Sequence, residues 1–219
     1  MCDSKPKLSP HERLKAFHAR NLQYLHLGYD RANAARFVVR AAGELAGPAL
    51  DIGTGKGFCA IELARMGMTV VSIDVDAEEQ EVATLLAEEA GVGDRIRFVH
   101  GNAAHLPYPD GYFGCAAMMD ALHHLDEPSP VFREMARVVK DGGLIIIADF
   151  DEKGFDLLSR VHRAEGHDHP RTAATLILAQ DELLRAGFQE MARTTSCLHD
   201  VIVLLRKPRN TPESAKRSV

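Results

Sequence analysis

A chain of 219 residues lies in the range of one α/β domain and can bury a core without disulfide or metal staples. Its 46% hydrophobic and 26% charged residues are ordinary for a soluble globular protein, and a formal charge of −5 gives no electrostatic reason to expect nucleic acid as a partner. Cys2, Cys59, Cys115 and Cys197 form no C-x-x-C pair, the first residues lack an apolar signal core, and no run approaches the ~18 apolar residues of a membrane span, so a reduced, cytoplasmic setting with no membrane partner is expected.

Ser9-Pro10 reads as a helix start, and Leu14, Phe17, Leu22 and Leu25 give a partly amphipathic segment that stops at Gly28. A second helix is expected from about Arg31 to Leu45, before Gly47-Pro48. The pattern then alternates: strand 49–52, helix 57–66, strand 69–74, helix 77–90 and strand 95–99. After the loop "GNAAHLPYPDGY" come strand 113–119, helix 128–139 and strand 144–150. Helical stretches near 154–165 and 172–186 precede "FQEMARTTS" and "HDVIVLLRK", which are close enough to pair as an antiparallel hairpin at the sheet edge. Short apolar strands separated by helices imply right-handed βαβ units. The fold class is therefore α/β: a Rossmann-like doubly wound sheet, mostly parallel with an antiparallel C-terminal hairpin strand, and helices on both faces. With no internal repeat, one domain over residues 1–208 is the economical reading, and the basic, Pro-bearing end of the chain reads as a flexible tail over 209–219.

The stretch "PALDIGTGKGF" places three glycines at alternate positions after a short strand. It is not a Walker phosphate loop, because Lys56 is followed by Gly57 and not by Ser or Thr. It is not the dinucleotide fingerprint either, whose third glycine would fall at Phe58. What remains is a glycine-lined bend between a strand and a helix, where residues without Cβ let backbone approach a ligand. Ligands of open α/β sheets bind at the carboxyl ends of the strands. Those ends are Asp51 to Gly57, Asp74 to Asp76, Asn102-Ala103, Met119 to His124 and Asp149 to Asp151, and all five are expected to line one cleft.

Taken in order, "ALDIGTGKG", "VVSIDVD" and "VHGNAAHLPYPDGYFGCAAMMDALHHLDEPSPVFREMARVVKDGGLIIIADF" resemble the class I S-adenosylmethionine-dependent methyltransferases, and within them the small-molecule branch that includes quinone-biosynthesis enzymes. The likeness covers about residues 45 to 150. It implies that Gly53, Gly55 and Gly57 form the bend under the methionine and ribose of the cofactor, with Asp51 ordering the amino end. Asp74 would accept both ribose hydroxyls, a task suited to an acceptor-only carboxylate. Val75 would pack on the adenine ring, Asn102 and Ala103 would meet its edge, and Met119 at the fourth strand end completes the cofactor set. The family usually has Asp where Asn102 stands, and often Asp where Gly114 stands. Residues 1–46 would form part of a lid, and 152–186 a substrate-side insertion.

The implied reaction is in-line transfer of the methyl group of S-adenosylmethionine to a small-molecule acceptor, leaving S-adenosylhomocysteine. The Asn-Pro-Pro-Tyr motif of amino-methylating nucleic-acid enzymes is missing where "MMDALHHL" stands, so no nucleic acid is expected. His124 is the candidate general base, and His167 and His169 are candidate acceptor contacts. Lys56 reads as a solvated side chain. No metal is assigned, although two groups have the chemistry for one: the segment of His162, Glu165, His167, Asp168 and His169, and the strand-end acids Asp120, Asp149 and Asp151. A monomer or homodimer is expected. Two other classes stay open, a non-catalytic cofactor-binding subunit or sensor and a nicotinamide-dependent oxidoreductase, and the glycine spacing argues against the second.

Overall fold

The computed structural model describes residues 8–166 and 171–208. Helix α1 (Pro10–His26) starts as the sequence implies: Ser9 caps the Glu12 N–H, the Glu12 carboxylate returns to the Ser9 N–H, and Pro10 opens the first turn. Its buried seam is Leu14, Phe17 and Tyr24, while Leu22 and Leu25 are exposed. Helix α2 (Arg31–Arg40) ends five residues before the expected Leu45. The chain turns there: the Gly43 N–H closes on the Arg40 carbonyl, and Gly43 takes φ +70°, which a helix cannot continue.

Seven strands follow the alternation read from the sequence: β1 (Ala49–Ile52), β2 (Val70–Asp74), β3 (Ile96–His100), β4 (Phe113–Met119), β5 (Val139–Phe150), β6 (Phe188–Ser196) and β7 (His199–Arg206). Helices α3 (Phe58–Arg65), α4 (Ala77–Glu89) and α5 (Pro128–Val138) connect the first five strands, and α6 (Glu152–Ala164) and α7 (Leu176–Arg185) lead to the hairpin. The sheet order is β3-β2-β1-β4-β5-β7-β6, and β7 alone runs opposite to the other six strands. The order reverses between β1 and β4, which opens the crevice of a doubly wound sheet at their carboxyl ends.

Burial on both faces explains the near-continuous apolar strands. Along β4, Cys115, Ala117 and Met119 pack with α2, α3 and α6, whereas Ala116 and Met118 pack with α5 and α7. β5 begins at Val139, earlier than the expected 144, because Phe113 still pairs with Val139 before the register shifts to Cys115 opposite Leu144. β6 and β7 form the expected hairpin, joined by Cys197 and Leu198 at φ +54° and +69°. A two-residue turn with both φ positive matches strand twist, but usually recruits Asn and Gly.

Candidate functional site

The bend after β1 is held from below by β2. The Gly53 and Thr54 N–H groups both donate to the Ile73 carbonyl, at 2.9 and 3.3 Å. Gly53 has φ +80°, and a Cβ there would stand 2.4 Å from the Ala121 Cβ, so the turn after β4 leaves room for no side chain. Gly55, at φ +47°, is different: an added Cβ would meet no protein atom within 4 Å. Its N–H donates to Asp74 Oδ2 at 2.8 Å, while Asp74 Oδ1 accepts from the Asp76 N–H at 2.9 Å. Asp74 is thereby fixed beside open backbone, with carboxylate lone pairs left to spare.

Beneath the bend runs a polar chain that the sequence reading missed. Gln80 donates to Thr54 Oγ1 at 3.1 Å, Thr54 and Ser72 share a 2.7 Å hydrogen bond, and Ser72 donates to Asp51 Oδ2 at 2.6 Å. With Asp51 ionised, the direction is set, because a carboxylate only accepts and the Ser72 proton must point to it. Asp51 is fully buried; its other oxygen has no nitrogen or oxygen donor, and the Cys59 thiol is a neighbour. Burial raises its pKa to about 7 against the pull of the Ser72 hydrogen bond. An acid raised in the folded state stabilises least when ionised. Wild type should therefore lose stability relative to Asp51→Asn as pH rises from about 4 to about 7, by on the order of 4 kcal/mol. Urea midpoints of the two proteins across that window check this, and parallel curves would refute it.

Above the bend lies a cavity of about 480 Å³. Gly53, Gly55, Met119 and His124 line it, as does Lys56, which is paired with Glu79 at 2.7 Å. The lid side comes from α1 (Arg20), α2 (Arg31), the intervening Tyr29, and α6 (Leu158 and His162). The five strand ends do not share this cavity equally. β1, β4 and the Phe150 end of β5 meet the cavity, but Val75, Asn102 and Ala103 lie outside its lining, beyond the bend. Val75 is 69% exposed, and Asn102 makes a local turn in which its side-chain oxygen accepts from the Ala104 N–H at 2.8 Å. Asp51, Gly57 and Asp74 are not among its lining residues, although Asp74 is bonded to Gly55, which is.

Two histidine–carboxylate pairs flank Phe150. His123, in the 3₁₀ turn Leu122–His124, is buried with Nδ1 2.6 Å from Asp149 Oδ1, and its backbone N–H donates to Oδ2 at 3.1 Å. Asp149 Oδ1 also accepts from the Phe150 N–H at 2.9 Å. The second pair is Asp120 with His199, whose Nε2 stands 2.7 Å from Oδ1. The neighbouring His124 ring lies 4.1 Å from that of His123, and burial first, then the proximity of His123, lowers its pKa.

The three strand-end acids are thus divided: Asp120 goes to His199, Asp149 to His123, and Asp151 caps α6 by accepting from the Gly154 N–H. Among the described residues no three His, Cys, Asp or Glu side chains gather to hold a metal ion. Glu165 pairs with Arg20 at 2.6 Å, and His162 faces the cavity. His167, Asp168 and His169 lie outside the described residues. Tyr29, Arg31 and His199 were not anticipated. Arg31 and Tyr29 sit at a helix start with no pattern to mark them, and His199 reaches the site only through the hairpin topology.

The family model described as "Methyltransferase domain" matches residues 50–147. A 27-O-demethylrifamycin SV methyltransferase of Amycolatopsis mediterranei is 34% identical over 138 residues, covering 58% of this chain and 51% of that protein. A ubiquinone/menaquinone biosynthesis C-methyltransferase of Hahella chejuensis is 30% identical over 131 residues, covering 58% and 53%. The chain thus spans about half the length of these curated relatives. A solved structure from Methanococcus maripaludis shares the fold at a TM-score of 0.67 and 19% identity, covering 96% of this chain and 99% of that one. No described helix is long and apolar enough to cross a membrane. The glycine bend and the acid that ends β2 both fall inside the matched segment: residues 50–147 match a methyltransferase domain, and the curated relatives similar to this chain are methyltransferases.

Proposed function

We propose that the protein transfers the methyl group of S-adenosylmethionine to a small-molecule acceptor in the cytoplasm. The observation that carries this reading is Asp74 bound to the Gly55 N–H beside a backbone position with no protein atom over it. That geometry suits a ligand carrying vicinal hydroxyls, which the spare lone pairs of Asp74 accept. The residues present fit the rest of the cofactor. Val75 offers exposed apolar surface to an adenine ring, Asn102 and Ala103 stand at the next strand end, Gly57 closes the bend, and Met119 ends β4 at the cavity. Asp51 stands beneath the bend, where an amino group is to be ordered. Arg31 brings a guanidinium to the cavity, stacked 3.9 Å over the Tyr24 ring, and is the counter-charge for a ligand carboxylate.

S-adenosylmethionine supplies a methyl group already activated on a sulfonium, so the chain has chiefly to position a nucleophile and take its proton. His123 suits the second task, because Asp149 holds its Nδ1 and so orients the ring at the cavity wall. His124, also at the wall, is the other base candidate. Residues of α1, α2 and α6 close the acceptor side, as the lining by Arg20, Arg31, Leu158 and His162 supports. Calorimetry with S-adenosylhomocysteine tests the cofactor assignment. Asp74→Ala is expected to weaken binding by about 1–3 kcal/mol, the usual cost of losing a charged hydrogen-bond partner. Unchanged affinity would remove Asp74 from the site.

A further inference from the structure

His199 is fully buried, and its two ring nitrogens both face acceptors. Nδ1 lies 2.8 Å from the Cys197 carbonyl, and Nε2 lies 2.7 Å from Asp120 Oδ1. A neutral imidazole has one N–H and could satisfy only one of them; the protonated ring satisfies both. Burial works against that charge, but the Asp120 carboxylate outweighs it and raises the pKa of His199. Asp120 is itself unusual. It is a non-glycine residue at φ +55°, it follows the last residue of β4, and it lines the cavity.

The backbone around His199 is also costly. Cys197 and Leu198 hold positive φ without a glycine, a conformation that persists only where its surroundings over-determine it. Those surroundings are visible: the Leu198 carbonyl accepts from the Asp151 N–H at 2.9 Å, and Asn33 of α2 reaches Cys197 Sγ at 3.5 Å. The Tyr29 and Phe150 rings lie against His199, with centroids 5.9 and 4.6 Å away. The hairpin tip is thereby locked against the end of β5 and tied to the residue after β4, with His199 bonded to a cavity-lining carboxylate.

We propose that this tip, outside the segment matched by the family model, is part of the acceptor site: His199 is a positioning residue that fixes Asp120, and Asp120 accepts a hydrogen bond from a neutral hydroxyl group of the acceptor. The charges favour that class. The imidazolium already balances Asp120, and Arg31 lines the same cavity, so a cationic group gains little there. An imidazolium cannot take a proton, which separates this pair from His123–Asp149 in role. The inference rests on the methyl-transfer reading, and its test keeps the two apart.

Protein labelled at methionine methyls is first saturated with S-adenosylhomocysteine and then titrated with phenol, with the Met119 methyl at the cavity wall as reporter. Phenol should shift that signal saturably and benzylamine should bind more weakly. Asp120→Asn and His199→Ala should each weaken phenol by about tenfold or more, while His199→Gln, which keeps a donor for Asp120, recovers much of the loss. In ¹⁵N spectra at neutral pH, both ring nitrogens of His199 should carry protons in wild type. Failure of S-adenosylhomocysteine to bind would overturn the methyl-transfer reading and this inference with it. Normal binding of that compound with no saturable phenol response, with equal phenol affinity in Asp120→Asn, or with a preference for benzylamine would overturn the inference alone.

Discussion

Gly114→Ala is expected to cost more than about 4 kcal/mol and to leave little folded protein, an effect reserved for a short list of core failures. A Cβ at Gly114 would stand 1.5 Å from the Ala46 carbonyl oxygen and 2.7 Å from its carbon, and 3.2 Å from the Gly47 Cα. All three are backbone atoms, so no side-chain rotation relieves the clash. The approach is part of the sheet's construction: the Gly114 N–H donates to the Pro48 carbonyl at 2.8 Å just before β1 begins. Soluble yield and urea unfolding measure the effect. Gly55→Ala is the control, because its Cβ would enter open space and only local φ strain should register. An unchanged urea midpoint in Gly114→Ala would show that the 46–48 crossing can move aside.

His123→Gln should lower methyl transfer by about 10²–10⁴, the range for a positioned general base, while leaving S-adenosylhomocysteine affinity within a factor of a few. Glutamine keeps a donor for Asp149 but cannot accept a proton at neutral pH, so packing and chemistry are separated. His124→Gln is the comparison. Its ring sits at the same wall, beside that of His123 and away from the Asp149 contact of Nδ1 there, and it should lose less than about tenfold. Formation of S-adenosylhomocysteine on a phenol acceptor that the wild type methylates is the readout. A larger loss in His124→Gln than in His123→Gln would hand the base to His124, as the sequence reading had it.

Much of the frame was legible because its causes are local. Ser9-Pro10 with Glu12 specifies a helix start, and alternating Cys115 to Met119 specifies a strand buried on both faces. Three glycines after "ALDI" specify a bend that nothing else in the chain could make. The end of α2 was misjudged because Gly43 stops the helix before the Pro48 signal that seemed to end it. The site was legible where one strand end supplies it, as with Gly55 and Asp74. It was not legible where partners come from distant segments. Ser72 supports Asp51 through a pairing set by sheet register, Gln80 joins that polar chain from α4, and His199 meets Asp120 across 79 positions. Gly114 stood out in the sequence only as a departure from its family. The cause, the Ala46 carbonyl over β4, is a tertiary contact. Nor was the shape of the cavity legible, because the α1, α2 and α6 residues that line it stand with the β1, β4 and β5 ends through tertiary packing.

The most direct test of the methyltransferase reading is calorimetric titration of the wild-type protein with S-adenosylhomocysteine and, separately, with NADH. Saturable one-to-one binding of S-adenosylhomocysteine, with no heat from NADH, is expected from a bend that lacks the dinucleotide glycine spacing and offers Asp74 to ribose hydroxyls. Binding of NADH without binding of S-adenosylhomocysteine would contradict it.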